Sequence, residues 1–101
     1  MATAKRFFPL VYWRKAGTLF TIGGSNGSGM KEVTEYSIEK NCWSIHSQLP
    51  EAMFGSSAVI LNDDAIYNIG GYPSTHSVIK CDLNGEPEWN PVEILEFSYK
   101  N

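Results

Sequence analysis

The chain has 101 residues and a mass of 11.3 kDa, room for one small domain at most, and 43% of its residues are hydrophobic, 19% charged and 13% aromatic. That composition excludes intrinsic disorder, which needs low hydrophobicity and high net charge, and no apolar run approaches the roughly 20 residues of a membrane-spanning helix. A net charge of −3 and an isoelectric point near 5.2 argue against a nucleic-acid binder, and two cysteines are too few for a disulfide framework and read as reduced thiols of a cytoplasmic protein.

The net charge hides an imbalance. Residues 1–31 carry five basic side chains (Lys5, Arg6, Arg14, Lys15, Lys31) and no acidic one, whereas residues 32–101 carry three basic and eleven acidic. Pro9 interrupts any amphipathic targeting helix, and the apolar stretch 7–13 is short and bulky for a secretory core. The basic start reads as solvated charge, with an anion-attracting surface as the sharper alternative.

Taken in chain order, the apolar patterning predicts a strand near 9–15 and a second at 18–24, near-continuously apolar and ending in Gly23-Gly24. The glycine-rich stretch 23–31 follows a strand and invites a phosphate-loop reading. It fails on composition, since Met30 stands where lysine is required and no helix follows to supply its N-terminal dipole. Residues 30–40 fit a short helix by the pairs Lys31/Glu35 and Tyr36/Lys40, but no cap is well placed, and alternation favours a third strand at 32–39. A fourth strand starts at Cys42-Trp43. The pattern then restarts: strands at 56–62, 65–71 and 77–83, with Asn62-Asp63-Asp64 as a hairpin turn, and a last strand from Glu88-Trp89.

The restart is a tandem repeat. Leu19-Phe20-Thr21-Ile22-Gly23-Gly24 returns as Ile66-Tyr67-Asn68-Ile69-Gly70-Gly71, an offset of 47, which also lays Val11-Tyr12-Trp13 over Ala58-Val59-Ile60. Trp43 returns as Trp89 at an offset of 46, and Thr34, Tyr36 and Ile38 correspond to Ile79, Cys81 and Leu83. Periods between about 20 and 50 residues mark solenoids and propellers.

An apolar strand ending in Gly-Gly, a Tyr about a dozen residues on and a Trp several residues later resembles the kelch repeat. Gly23, Gly24, Tyr36 and Trp43 carry that pattern once; Gly70, Gly71 and Trp89 carry it again, with Cys81 in place of the tyrosine. Residues 49–60 look like the family's lead-in to a first strand, with Met53 where an arginine is usual, and upstream of Phe7 no lead-in is recognisable. The resemblance implies an all-β fold of two four-stranded antiparallel blades, a partial β-propeller, with blades at 7–50 and 51–97. Trp43, Trp89 and Tyr36 are then expected as core between blades. Closed rings use about four to eight blades. The chain is therefore expected to be a fragment or truncated product of a larger kelch protein, or to self-associate.

The resemblance also implies a non-catalytic protein–protein interaction module, part of a substrate adaptor or scaffold, whose loops contact protein partners. Position makes the loops after Gly-Gly (25–31 and 72–76) and the inter-blade segment 47–55 the candidate contacts, with Ser25, Asn26, Tyr72 and His76 as candidate binding residues. The alternative is a partial propeller of a kelch-like oxidase or sugar-modifying enzyme with its catalytic residues on other blades. Nothing in the chain itself points to chemistry. His46 and His76 are lone histidines without donors at metal-ligand spacing, and Asp63-Asp64 are neighbours in a turn rather than a convergent pair. No catalytic residue, metal, cofactor, nucleic-acid partner or membrane partner is expected.

Overall fold

The computed structural model of the chain describes residues 5–73 and 77–92. Eight strands form two four-stranded antiparallel sheets, with no helix among the described residues. Sheet I is the meander β1 (Leu10–Trp13), β2 (Thr18–Ile22), β3 (Met30–Ser37) and β4 (Cys42–Met53). Sheet II repeats it as β5 (Ser57–Leu61), β6 (Ala65–Ile69), β7 (Val78–Asp82) and β8 (Trp89–Pro91). The all-β architecture expected from the repeat is present, and the two sheets fit two blades. The segment after Met30 is a strand because it finds ladder partners on both sides, in β2 and in β4.

The first two strands of each sheet are joined by turns of different length. In sheet I, residues 14–17 close the hairpin, with the Ala16 N–H donating to the Trp13 carbonyl (3.3 Å) and Gly17 at φ 63°. In sheet II only residues 62–64 intervene. The Asp64 N–H donates to the Leu61 carbonyl (3.1 Å), while Asn62 and Asp63 both take positive φ (56° and 57°). Two successive positive φ values give the turn whose twist matches a β-hairpin, and Asn and Asp tolerate them better than other side chains.

That missing residue corrects the alignment of the first strands. Val11 pairs with Phe20 and Val59 with Tyr67, so the first strands correspond at an offset of 48 while the second strands keep 47. The repeat also begins earlier than the sequence shows. Arg6 and Ser25 exchange backbone hydrogen bonds (2.9 and 2.8 Å) as Phe54 and Tyr72 do (3.2 and 2.8 Å). Residues 5–8 are thus the lead-in of the first copy, counterpart of 53–56.

The sheets stack with β1 beside β5 and β4 beside β8. Strand alternation gives each sheet an inner face towards its neighbour and an outer face. Sheet I contributes Val11, Trp13, Phe20, Ile22 and Val33, and sheet II contributes Ile60, Ile66, Ile79, Cys81 and Trp89. Polar links lock the stack. The indole N–H of Trp89 donates to Ser47 Oγ (3.0 Å), that of Trp13 to the Asp63 carbonyl (2.8 Å), and Arg14 pairs with the Asp63 carboxylate (2.8 Å).

Two expectations are corrected here. Trp89 is core between the sheets, 8% exposed, but Trp43 is 37% exposed and lies with Tyr36 on the outer face of sheet I. The two rings pack on each other (centroids 4.9 Å apart) and touch no second sheet. The segment 47–55, expected as an inter-blade loop, is mostly strand: β4 runs through residue 50, where the first blade was expected to end, and stops at Met53. Ser47, Leu49 and Met53 are buried along it and so unavailable for contact. Residues 93–97 of the expected second blade lie outside the described residues.

Cys81 replaces the repeat's tyrosine at a fully buried inner-face position, and burial, aided by the nearby Asp82 carboxylate, pushes its thiol up to about 11. Cys42, by contrast, is exposed at the start of β4. A thiol reagent at mildly alkaline pH is therefore expected to titrate one cysteine in the native protein and both in denaturant. Two fast thiols in the native state would contradict this packing.

Candidate functional site

Both Gly-Gly pairs lie at the same end of the stack, where β2 and β6 run out. All four glycines have positive φ (63° and 115° at Gly23 and Gly24, 71° and 97° at Gly70 and Gly71), which other residues adopt only with strain. Space is equally tight at Gly23. A side chain there would stand 2.5 Å from the Met53 carbonyl oxygen, because the Gly24 N–H donates to that same carbonyl (2.9 Å). The glycines let the lead-in strands lie directly against the loops. One end of the molecule thereby becomes a continuous surface built from 5–8, 23–29, 53–56 and 70–73.

The predicted residues fall into different roles on it. Ser25 and Asn26 build their own turn: Ser25 Oγ accepts from the Gly27 N–H (3.2 Å) and Asn26 Oδ1 from the Ser28 N–H (3.2 Å). This is the hairpin tip between β2 and β3, and no helix follows it to make a phosphate site. Tyr72 is different. It is 62% exposed, and its ring lies 5.3 Å from that of Phe54. His76 lies outside the described residues.

The structure adds residues that the sequence did not single out. Phe7 is 60% exposed and packs on Phe54 (6.2 Å), so three rings from three segments line one shallow depression floored by Gly55 and Gly71. The Gly55 N–H donates to the Phe7 carbonyl (2.7 Å), tying the lead-in of sheet I to that of sheet II. Cations border the rings: the Arg6 guanidinium sits over Phe7 (5.4 Å) and the Lys5 amine over Phe8 (5.1 Å). Lys5 also donates to Thr21 Oγ1 (2.8 Å) and to the Gly23 carbonyl (2.9 Å), and burial lowers its pKa against the opposing pull of Glu32. Of the basic residues at the start of the chain, Lys5 and Arg6 lie at this end, whereas Arg14 and Lys15 lie in the β1–β2 turn; Phe7 and Phe54 are 47 residues apart and their meeting had no local signal.

Away from this end, Ser47 and His46 invite comparison with a nucleophile–base pair. Their hydrogen bond (Oγ to Nδ1, 2.9 Å) has another meaning. An indole N–H can only donate, so Ser47 Oγ accepts from Trp89, and its own hydrogen is left for His46 Nδ1. The hydroxyl is buried between the sheets, out of reach of a substrate. Among the described residues no group of three His, Cys, Asp or Glu side chains stands together as a metal site. No family model matches the chain, and no curated protein matches it.

Two outcomes follow from this geometry. Gly23→Ala is expected to cost about 2–4 kcal/mol in chemical denaturation, combining left-handed strain with overpacking against Met53. Gly17→Ala, at the same φ of 63° but with nothing within 4 Å, should cost only the strain of about 1–2 kcal/mol; equal losses would refute the tight approach. Burial also holds the pKa of His46 below the ordinary 6.5, partly offset by Glu35. The unfolded chain therefore takes up this proton first, so the stabilisation is complete above about pH 6.5 and is lost as pH falls towards the folded value. The denaturation midpoint should drop on acidification through this range, and His46→Gln should flatten the drop; an unchanged slope would remove His46 as its source.

Proposed function

We propose that the chain is a non-catalytic protein-interaction module of the kelch type, acting in a reducing compartment such as the cytoplasm, and that it binds through the loop end of its two sheets. The observation that carries this reading is the cluster of Phe7, Phe54 and Tyr72, with Phe7 and Tyr72 largely exposed, held on the lead-ins and loop of both sheets and with the Arg6 guanidinium over Phe7. Soluble proteins pay for large exposed aromatic patches in solubility, and such patches mark contact sites. Aromatic and arginine side chains are also the residues that most often dominate binding energy. The surface suits an extended segment that places an apolar or aromatic side chain among the rings and acidic groups against the cationic rim. The repeat pattern supports the kelch assignment, since both Gly-Gly pairs deliver their loops to this one end.

Selection of displayed peptides on the immobilised protein tests the reading. Enrichment is expected for sequences with an aromatic or large aliphatic residue flanked by Asp or Glu. Their binding should weaken about tenfold or more in Phe7→Ser/Tyr72→Ser, and should fall with added salt through Arg6. Both substituted rings are largely exposed, so the variant should keep its circular dichroism spectrum and melting midpoint. Enriched peptides that bind this variant equally well would overturn the proposal.

A further inference from the structure

Among the described residues the buried contact between the sheets is made once, yet the chain carries the two surfaces that make it twice. On the inner face of sheet I stand Val11, Trp13, Phe20 and Ile22. The corresponding positions of sheet II, at offsets of 48 and 47, are Val59, Leu61, Tyr67 and Ile69, and they form its outer face. The inner face of sheet II presents Ile60, Ile66, Cys81 and Trp89 in one row across four strands. The row that corresponds to it in sheet I is Tyr12, Leu19, Tyr36 and Trp43, on its outer face. Exposure shows which copies lack a neighbour. Ile22 is fully buried while Ile69 is 46% exposed, and Trp89 is 8% exposed while Trp43 is 37%. Leu10 and Ile45 flank the open row, at 57% and 60%.

Four polar side chains on the outer face of sheet I already have partners. Thr21 and Thr34 hydrogen-bond each other through their hydroxyls, Lys5 donates to Thr21, and the Tyr36 hydroxyl donates to Asn41. The Tyr12 hydroxyl and the Trp43 indole N–H stand at the exposed part of the row, so a partner that covers this face gains hydrophobic burial and must also supply these two groups with hydrogen-bond partners.

We infer that the outer face of sheet I is a docking surface for the outer face of sheet II of a second copy of this chain, repeating the internal contact head to tail. The occupant is specified by the molecule: the surface that the chain already seats against this kind of face is displayed, uncovered, at its own other end. A contact between two different faces closes into a ring or runs on as a filament. With about four to eight blades in closed propellers, two to four copies would complete one. The inference rests on the packing between sheets and not on the loop-end cluster, so it stands or falls separately from the proposed binding function.

Light scattering on size-exclusion fractions of the full chain tests it with two variants at exposed positions. Trp43→Arg disables one face and Ile69→Arg the other. The wild type is expected to elute as an assembly of 11.3 kDa units, and each variant alone as a folded monomer by circular dichroism. An equimolar mixture should pair one to one, since each variant retains the face that the other has lost. The pairing also shows that both variants are folded. A wild type that stays monomeric, assemblies that survive either substitution, or variants that fail to pair when mixed would each overturn the head-to-tail contact.

Discussion

A β-sheet that is apolar on both faces is not stable alone in water, and everything else in this molecule follows from having two of them. Each meander has large side chains on both sides of its strands, because β2 and β6 place apolar residues on both faces, Leu19 opposite Phe20 and Ile22, and Tyr67 and Ile69 opposite Ile66. Stacking removes one face of each from solvent and produces the core of Phe20, Ile22, Val33, Ile66, Cys81 and Trp89. The polar atoms drawn into that layer are all engaged. The amide of Asn68 donates to the Met53 sulfur (3.0 Å) and accepts from the Ser56 hydroxyl (2.7 Å), and Ser47 serves Trp89 and His46. Buried polar groups cost stability when unpaired, so this completeness keeps the layer from carrying that penalty.

The stacking also determines where a ligand can reach. The hairpin turns of β1–β2 and β5–β6 are joined to each other through Asp63, and the middle of the stack is core. Apart from the outer faces of the two sheets, the surface with exposed aromatic side chains and a shallow depression is the end where the Gly-Gly pairs let loops and lead-ins approach one another. Binding residues placed there are tied by backbone contacts, Phe54 and Tyr72 by a bridge to each other and Phe7 by the Gly55 N–H on its carbonyl, which limits the order that has to be gained on binding.

The repeat made the strand order readable, because period-two alternation and paired glycines are local signals. The charge distribution marked the chain's basic start, of which Arg6 stands over Phe7 of the aromatic cluster. Alternation shows that Tyr36 and Trp43 share a face, but not which face has a neighbour. Trp43 and Trp89 are equivalent in sequence and opposite in burial for that reason. The one-residue difference between the turns at 14–17 and 62–64 shifted the first-strand alignment, since a shorter turn leaves no mark on the composition around it. The meeting of Phe7 with Phe54 depends on backbone bridges between segments that are distant in the chain. The lead-in at 5–8 escaped notice because its pairing with the loop is made by main-chain atoms, which carry no side-chain signature.

Met53 links these parts at one point. Its carbonyl accepts the Gly24 N–H of sheet I, its sulfur meets Asn68 of sheet II, and its peptide leads β4 into the next repeat. Neither sheet can melt without withdrawing hydrogen-bond partners and core from the other. The repeats are therefore not independent modules whose stabilities add like beads on a string. The shared contacts couple them, so that opening one repeat removes partners on which the other depends.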